Sequence, residues 1–319
     1  MQRIKPMVII FLALGVISLV LLFYYFGAFY PAFNKLNKNK EFQIPGLKEN
    51  FVPQGFEYVG TRDLFLVSGY MSDGNLSRIY VVDRKTGTAQ KYVTIEGYFG
   101  HAGGIATNGT HVWVVGDKKL LTLSLADLLE ANNGDALAKK SEIITGNGCD
   151  FVKVYNNTLV VGEFYRAKKY ETQQAHHITH QEGDTTYALA YCYSINNEKT
   201  SGIEELPSFA LTLPNHAQGI AFVGQKIVVS TSWSVPSSKL IIYSNPLGQT
   251  STQTVSLNGQ TVPLYCLNKG RLEKEVKAPA MSEELCVVGD RVYIMFESAS
   301  NKYKFFNRTR TKNAISIKI

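Results

Sequence analysis

Two histidines occupy matching places in a repeated phrase, GHAGG (100–104) and NHAQG (215–219), while the acid pair Glu283–Glu284 and Asp150 stand at comparable places in two further repeats. Imidazoles and carboxylates converging from several strands could bind a divalent cation, or supply a general base and an electrophile to a bound ligand. His101, His216, Glu283 and Glu284 are therefore the candidate catalytic and metal-binding residues, with a divalent metal as the implied cofactor. The plainer reading is that repeat histidines bond to backbone and channel-facing polar groups hold water. A subsidiary metal candidate is the run His176, His177 and His180, followed by Glu182 and Asp184; only a helical turn would bring its histidines together. An exposed loop capping the channel is the alternative.

The elements that must position these residues are strands. Five phrases recur, PQGFEYVG (53–60), AGGIATNG (102–109), GCDFVKVY (148–155), AQGIAFVG (217–224) and SEELCVVG (282–289). Each is followed after a tight turn by a second run rich in β-branched and aromatic residues, such as HVWVVGD or KIVVSTSW. A third run, RIYVVD, LLTLSL, ALAYCYSI or LIIYS, often follows, and AQKYVTI (89–95) supplies a fourth. Four antiparallel strands per unit, repeated radially, predict an all-β fold, a β-propeller. The phrases count five blades; chain length divided by a usual blade gives six as the alternative. Closure fits five, with AISIKI (314–319) as the third strand of the last blade and EFQIPGL (41–47) as its outermost, which removes the open edges. LADLLEANNGDALAKK (125–140) reads as a helical surface insertion.

In such a ring the inner strand starts at one rim of the central channel, and the link from second to third strand returns there. The long links 68–78, 163–186, 231–239 and 296–313 therefore overhang the same mouth, where loops on a rigid scaffold carry function. Gln54, Asp150 and Gln218 of the repeats, with Tyr165, Arg166, Lys302 and Tyr303 of the links, are the candidate ligand-binding residues. Interleaved bases and aromatics suit an anionic sugar, a lipid headgroup or an acidic polymer, and equally a solvated rim facing its own membrane.

The chain of 319 residues carries a net charge of +7, but Arg3, Lys5, Lys35, Lys38 and Lys40 in its first 40 residues face no acid, so the remainder is nearly balanced. No basic stripe remains for a nucleic acid, and none is expected as a partner. Residues 7–30, MVIIFLALGVISLVLLFYYFGAFY, form an apolar run without charge, long enough to cross about 30 Å of hydrocarbon. The expected organisation is a cytoplasmic tail (1–6), a single-pass signal-anchor helix (7–30), a basic linker (31–40) and a propeller (41–319) outside the cytoplasm, since a short basic tail stays inside. The four cysteines suggest no disulfide framework; Cys192 and Cys266 read as blade-core positions and Cys149 as a small core residue. Signatures of P-loop nucleotide sites, zincins, serine hydrolases and EF-hands are absent.

The phrases VPQGFEY, GHAGGIA, NHAQGIAF and MSEELCVVGDRVYIMFESASNKY resemble those of uncharacterised membrane-anchored or secreted β-propeller proteins of Gram-positive bacteria. That resemblance spans most of residues 50–310 and implies fold and location rather than activity. The architecture is more distantly similar to propeller lactonases, arylesterases and strictosidine-synthase-like proteins, which have six blades and hold calcium with Glu, Asn and Asp; His101 and His216 depart from such hard oxygen ligands. Three functions follow as expectations. The first is a ligand- or partner-binding channel mouth on a membrane-anchored, monomeric propeller. The others are a metal-dependent hydrolase of an ester, lactone, glycoside or phosphate, and an inert envelope scaffold.

Overall fold

The β-rich runs pair as antiparallel meanders in the computed structural model, which describes residues 6–27, 29–145 and 148–319. Blade 1 is Phe51–Val59, Leu64–Met71, Arg78–Asp83 and Ala89–Ile95, and blade 2 is Gly104–Thr107, His111–Gly116, Lys119–Ser124 and Ser141–Ile144. Blade 3 comprises Phe151–Tyr155, Thr158–Gly162, Ala188–Ser194 and Phe209–Leu213; blade 4 comprises Ala217–Val223, Lys226–Thr231, Ser238–Ser244 and Leu272–Ala278. Blade 5 takes Ser282–Val288, Arg291–Phe296 and Asn313–Lys318 from the C-terminal end and Lys38–Gln43 from the N-terminal end. This is an all-β, five-bladed propeller closed by both ends of the chain.

The closing strand starts three residues before the predicted position, with Lys38 opposite Ile317 and Lys40 opposite Ile315. Ahead of it, Pro31–Asn34 forms one helical turn whose Phe33 is buried with Tyr30 in the apolar layer shared by blades 4, 5 and 1. The segment predicted as a linker thus packs against the ring, because Phe33, with Tyr30 just before it, has a groove to fill.

Long intervals between repeats hold insertions rather than a sixth blade. The hairpin Gln253–Leu257 and Gln260–Tyr265 leaves blade 4 between its third and fourth strands and adds, in parallel, to the outer strand of blade 3. Cys266 follows this hairpin, half-buried, rather than occupying a blade core as expected; Cys149, Cys192 and Cys286 are buried, and all four are free thiols. The predicted helix 125–140 is helical only over Leu125–Glu130, capped by Ser124 Oγ accepting from the Asp127 N–H at 3.1 Å. The Asn132–Asn133–Gly134 turn breaks it, and Ala136–Leu137 then extends blade 1. Leu125 and Leu128 are buried between blades 1 and 2, so this segment is an inter-blade wedge.

Pro6–Gly27 is a 22-residue helix. Among the described residues no helix is long and apolar enough to cross a membrane. Side chains are described as far as Leu21; of the predicted tail and span, residues 1–5 and 22–28 fall outside that description.

Candidate functional site

Inner strands crowd the propeller axis, and the repeat glycines make this possible. A Cβ on Gly55 would lie 2.7 Å from the Ile105 nitrogen, and one on Gly104 2.7 Å from the Val152 nitrogen. At this level Glu284 closes the channel: its Oε2 accepts the Phe56 and Ile105 N–H groups at 2.7 and 2.9 Å, and its Oε1 accepts the Val152 N–H at 3.1 Å. One carboxylate thereby ties blade 5 to blades 1, 2 and 3. Phe56, Ile105 and Val152 are equivalent by this bonding, so the column reads Gly55, Gly104, Phe151, Gly219, Glu284, and Asp150 stands one residue nearer the mouth than its sequence alignment suggests. Deeper still, buried Lys153 donates to the Phe56 carbonyl at 3.0 Å and pairs with Glu57 at 3.1 Å. Burial pushes the Glu284 carboxyl up to about 8, against the opposing pull of Lys153 and the three N–H groups.

Above this plug opens a cavity of about 1190 Å³ at the channel mouth. Gln54, His101, Asp150, Gln218 and Tyr303 line it, as the repeats and links predict. Its floor holds Glu297, which is hydrogen-bonded to the buried Glu283, with Gln54 Nε2 donating to Glu297 Oε2 at 2.7 Å. Burial raises both carboxyls, Glu297 to about 7 although Gln54 and Lys302 pull it down, and Glu283 well above its ordinary range with the Glu297 charge adding to the effect. Asp150 is likewise pushed up to about 7, by burial and by the nearby Glu163 and Asp117 charges; the Phe164 N–H, donating to it at 2.8 Å, opposes the shift. Among the described residues no ion pair involves Asp150, Glu283 or Glu297.

Aromatic rings wall the cavity. Phe164, Tyr170 and Trp233 meet edge-on or tilted with centroids 5.6 to 5.9 Å apart, and Arg166 lies over Trp233 at 4.2 Å. His101 stacks on Tyr70 at 4.7 Å, its backbone N–H donates to Asp117 at 3.0 Å, and burial, with Lys302 adding, holds its imidazole below the usual range. Lys302 donates to the Tyr70 hydroxyl at 2.7 Å, behind the cavity wall. Ala102, His216 and Met281, each just ahead of an inner strand, are in the left-handed region with φ of 47°, 62° and 60°.

Several predicted residues fall elsewhere. Glu284 is the plug, with both oxygens engaged by backbone. His216 borders a separate cavity of about 430 Å³ and packs toward Phe164 and Trp233. Tyr165 is buried against Tyr187 at 4.8 Å instead of facing the mouth. The histidine-rich link is not an exposed loop: His176 and His180 are buried, and the three side chains diverge. His176 Nδ1 pairs with Glu163 at 3.0 Å, His177 bonds Thr172 at 3.2 Å, and His180 bonds Thr186 at 3.0 Å. Among the described residues no three His, Cys, Asp or Glu side chains gather into a set that could hold a metal.

Residues that the repeats could have revealed are Asp117, Glu163 and Glu297, each immediately following the second strand of its blade and lining the cavity. Trp233, two residues past the second strand of blade 4, and Phe164 complete that ring.

No family model and no curated protein matches the chain. Among solved structures it is similar to the glutaminyl cyclase of Myxococcus xanthus, at 11% identity over 82% of this chain and 91% of that one, with a TM-score of 0.45. The tail fiber of Staphylococcus aureus phage P68 matches at 11% identity over 89% of this chain and 52% of that one, TM-score 0.47. The β-propeller domain of Cps50 (Swd1) from Myceliophteria thermophila matches at 10% over 88% and 98%, TM-score 0.40. These likenesses are of fold alone.

Proposed function

We propose that the protein is a single-pass, membrane-anchored propeller displayed outside the cytoplasm that binds a small polar ligand, as a monomer, in the channel-mouth cavity. The anchor rests on the apolar run 7–30 and on the helix Pro6–Gly27, whose described side chains from Met7 to Leu21 are exposed and, but for Ser18, apolar on every side. The observation that carries the ligand reading is the cavity floor, where Glu297, bonded to Gln54 and to the buried Glu283, sits beneath aromatic walls with no ion-pair partner among the described residues. Buried carboxyls, an amide and flat rings converging in one cavity suit hydroxylated or amine-bearing molecules, which would give the acids hydrogen-bond donors and the rings a stacking face.

The test is thermal-shift screening of the detergent-solubilised full chain against neutral sugars and against small amines. Stabilisation by one class in the wild type, and its loss in Glu297→Gln and Gln54→Ala variants that still fold, is the expected result. A hit that survives both substitutions removes the floor from the site.

Hydrolysis is the second reading, favoured by Asp150 and Glu297, both pushed to about 7 within one cavity. Carboxyls poised near neutrality are what acid–base catalysis requires. Turnover of an ester, lactone, glycoside or phosphate ester, lost in Asp150→Asn and Glu297→Gln, would support it.

A further inference from the structure

The geometry points to the mouth rim of the propeller as a surface that docks on an anionic bilayer, so that the cavity opens into the lipid headgroup layer. The inference rests on the anchoring proposed above and adds an orientation to it. Three observations carry it.

The first is where the chain joins the ring. The Tyr30 hydroxyl lies 3.2 Å from Thr309 Oγ1 in the link between the second and third strands of blade 5, and Lys277 sits over the Tyr30 ring at 5.7 Å. Lys277 pairs with Lys239 near the mouth end of blade 4, whose Ser238–Ala278 pair is at the rim. The attachment is thus on the mouth side. Between Gly27, where the apolar helix ends, and Tyr30 there are three residue steps, which reach about 11 Å at full extension. A spanning helix therefore leaves this rim no room to stand clear of the headgroups.

The second is the distribution of exposed apolar groups. Phe305 and Phe306 are 75% and 73% exposed at the mouth, and Phe99, Ile144 and Tyr170 also stand out on the same rim. The opposite rim exposes Leu206 and Leu272. Aromatic rings at this density are the usual anchors of an interfacial surface.

The third is charge. On the mouth rim Arg166 and Lys169 lie over Trp233 at 4.2 and 5.0 Å, Lys302 over Tyr70 at 4.7 Å and Lys304 over Phe305 at 5.1 Å; among the described residues no ion pair engages these four. On the opposite rim Lys199 pairs with Glu204 at 2.7 Å, Lys226 with Glu273 at 3.5 Å and Lys318 with Asp290 at 2.7 Å, and on the mouth rim itself Lys119 pairs with Glu142 at 2.7 Å and Lys239 with Glu275 at 2.8 Å, so the four bases on aromatic faces are the part of the mouth rim open to an anionic surface. Bases resting on aromatic faces can turn to lipid phosphates without breaking an ion pair, and each adds to attraction by an anionic leaflet. Of the mouth-rim acids, Glu49 is engaged by Arg78, Asp73 by Asn50, Glu142 by Lys119 and Glu275 by Lys239.

The experiment uses the full chain reconstituted into phosphatidylcholine vesicles, with or without about 30% phosphatidylglycerol to supply the anionic surface. Phe305→Trp places a fluorophore on the rim; buried Trp113 contributes a constant background and Trp233 reports from the cavity wall. Alkaline extraction first establishes whether the chain stays with the bilayer. Expected are quenching of the new tryptophan by lipids brominated near the headgroup, protection from aqueous iodide, and about threefold weaker quenching in Lys169→Glu/Lys304→Glu or in high salt. A chain that resists extraction while the tryptophan is quenched by iodide, equally in both vesicles, keeps the anchor and overturns the docking. A chain released by alkali removes the anchor, and the orientation argument falls with it.

Discussion

Glu283 and Glu284 are neighbours in sequence and belong to two different levels of the channel. Glu284 looks down into the plug, where each of its oxygens accepts backbone N–H groups from other blades, and these bonds hold the ring closed and offset part of the cost of its burial. Glu283 is bonded instead to another carboxyl, Glu297, which lines the cavity. Both acids are raised by burial, but Glu284 commits its oxygens to backbone donors across the ring, whereas Glu283 rests against a like group with no such structural bonds. Substitution should separate the two. Glu284→Gln replaces one acceptor oxygen with an amide that confronts an N–H, and should cost roughly 3–5 kcal/mol of stability. Glu283→Gln keeps a neutral group in a site that already favours one, and should leave the melting temperature within about 2 °C of wild type. Thermal or urea denaturation decides, and equal losses would erase the distinction between plug and floor.

A smaller effect should come from the clamp on the histidine-rich link. His176, buried between Glu163 at 3.0 Å and the Tyr191 hydroxyl at 3.1 Å, ties the 163–186 link to blade 3. His176→Ala leaves Glu163 buried beside the Leu189 N–H without its main side-chain partner, at an expected cost of about 1–3 kcal/mol. Limited proteolysis should then cut within 166–185 first, leaving a protected ring. Global unfolding without selective cleavage would show that the link is integral to the fold rather than clamped onto it.

The ring itself was legible because each blade repeats one phrase of fixed polarity, and because both chain ends supply β-rich segments of blade length. The mouth was legible as a place, since second-to-third links share a rim. Chemistry was less so. The register of the short phrase GCDFVKVY is set by bonding across the axis, which no linear alignment contains, so Asp150 was placed in the column that Phe151 occupies. Trp233, Glu297 and Phe164 come together only when blades 3, 4 and 5 close around the axis. Asp117, Glu163 and Glu297 did carry a signal, an acid directly after the second strand in three blades, which lies outside the glycine phrase that drew attention. The histidine run misled because burial, not spacing, decides where each ring points.

The floor and plug also predict a pH dependence. Glu297 and Asp150 have folded values raised to about 7 and Glu284 to about 8, all above the ordinary carboxyl range. Each favours the protonated fold, so its contribution is full below about pH 4 and is lost as pH rises through 7 to 8. His101 and His216, whose imidazoles are held low by burial, act the other way and only below about pH 6.5. Between pH 7 and 8 stability should therefore fall, by roughly 1–2 kcal/mol, and the fall should be shallower in Asp150→Asn and in Glu297→Gln. A flat wild-type profile would mean that the floor is already compensated by groups the cavity does not reveal.

The smallest expected effect concerns metal. The four side chains singled out for a cation occupy different levels: His101 on Tyr70 within the mouth, Glu283 against Glu297 of the floor, Glu284 in the plug and His216 beside the second cavity. A divalent ion needs several of them at about 2.0–2.6 Å at once, and drawing Glu284 upward would break its three N–H bonds. Chelation of the purified full chain should accordingly move the melting temperature by less than about 1 °C, the change expected when no folded-state ligand is removed. A fall on chelation, restored by one added metal and abolished by Glu283→Gln, would instead make the floor a metal site and give its raised carboxyls a charge to bind.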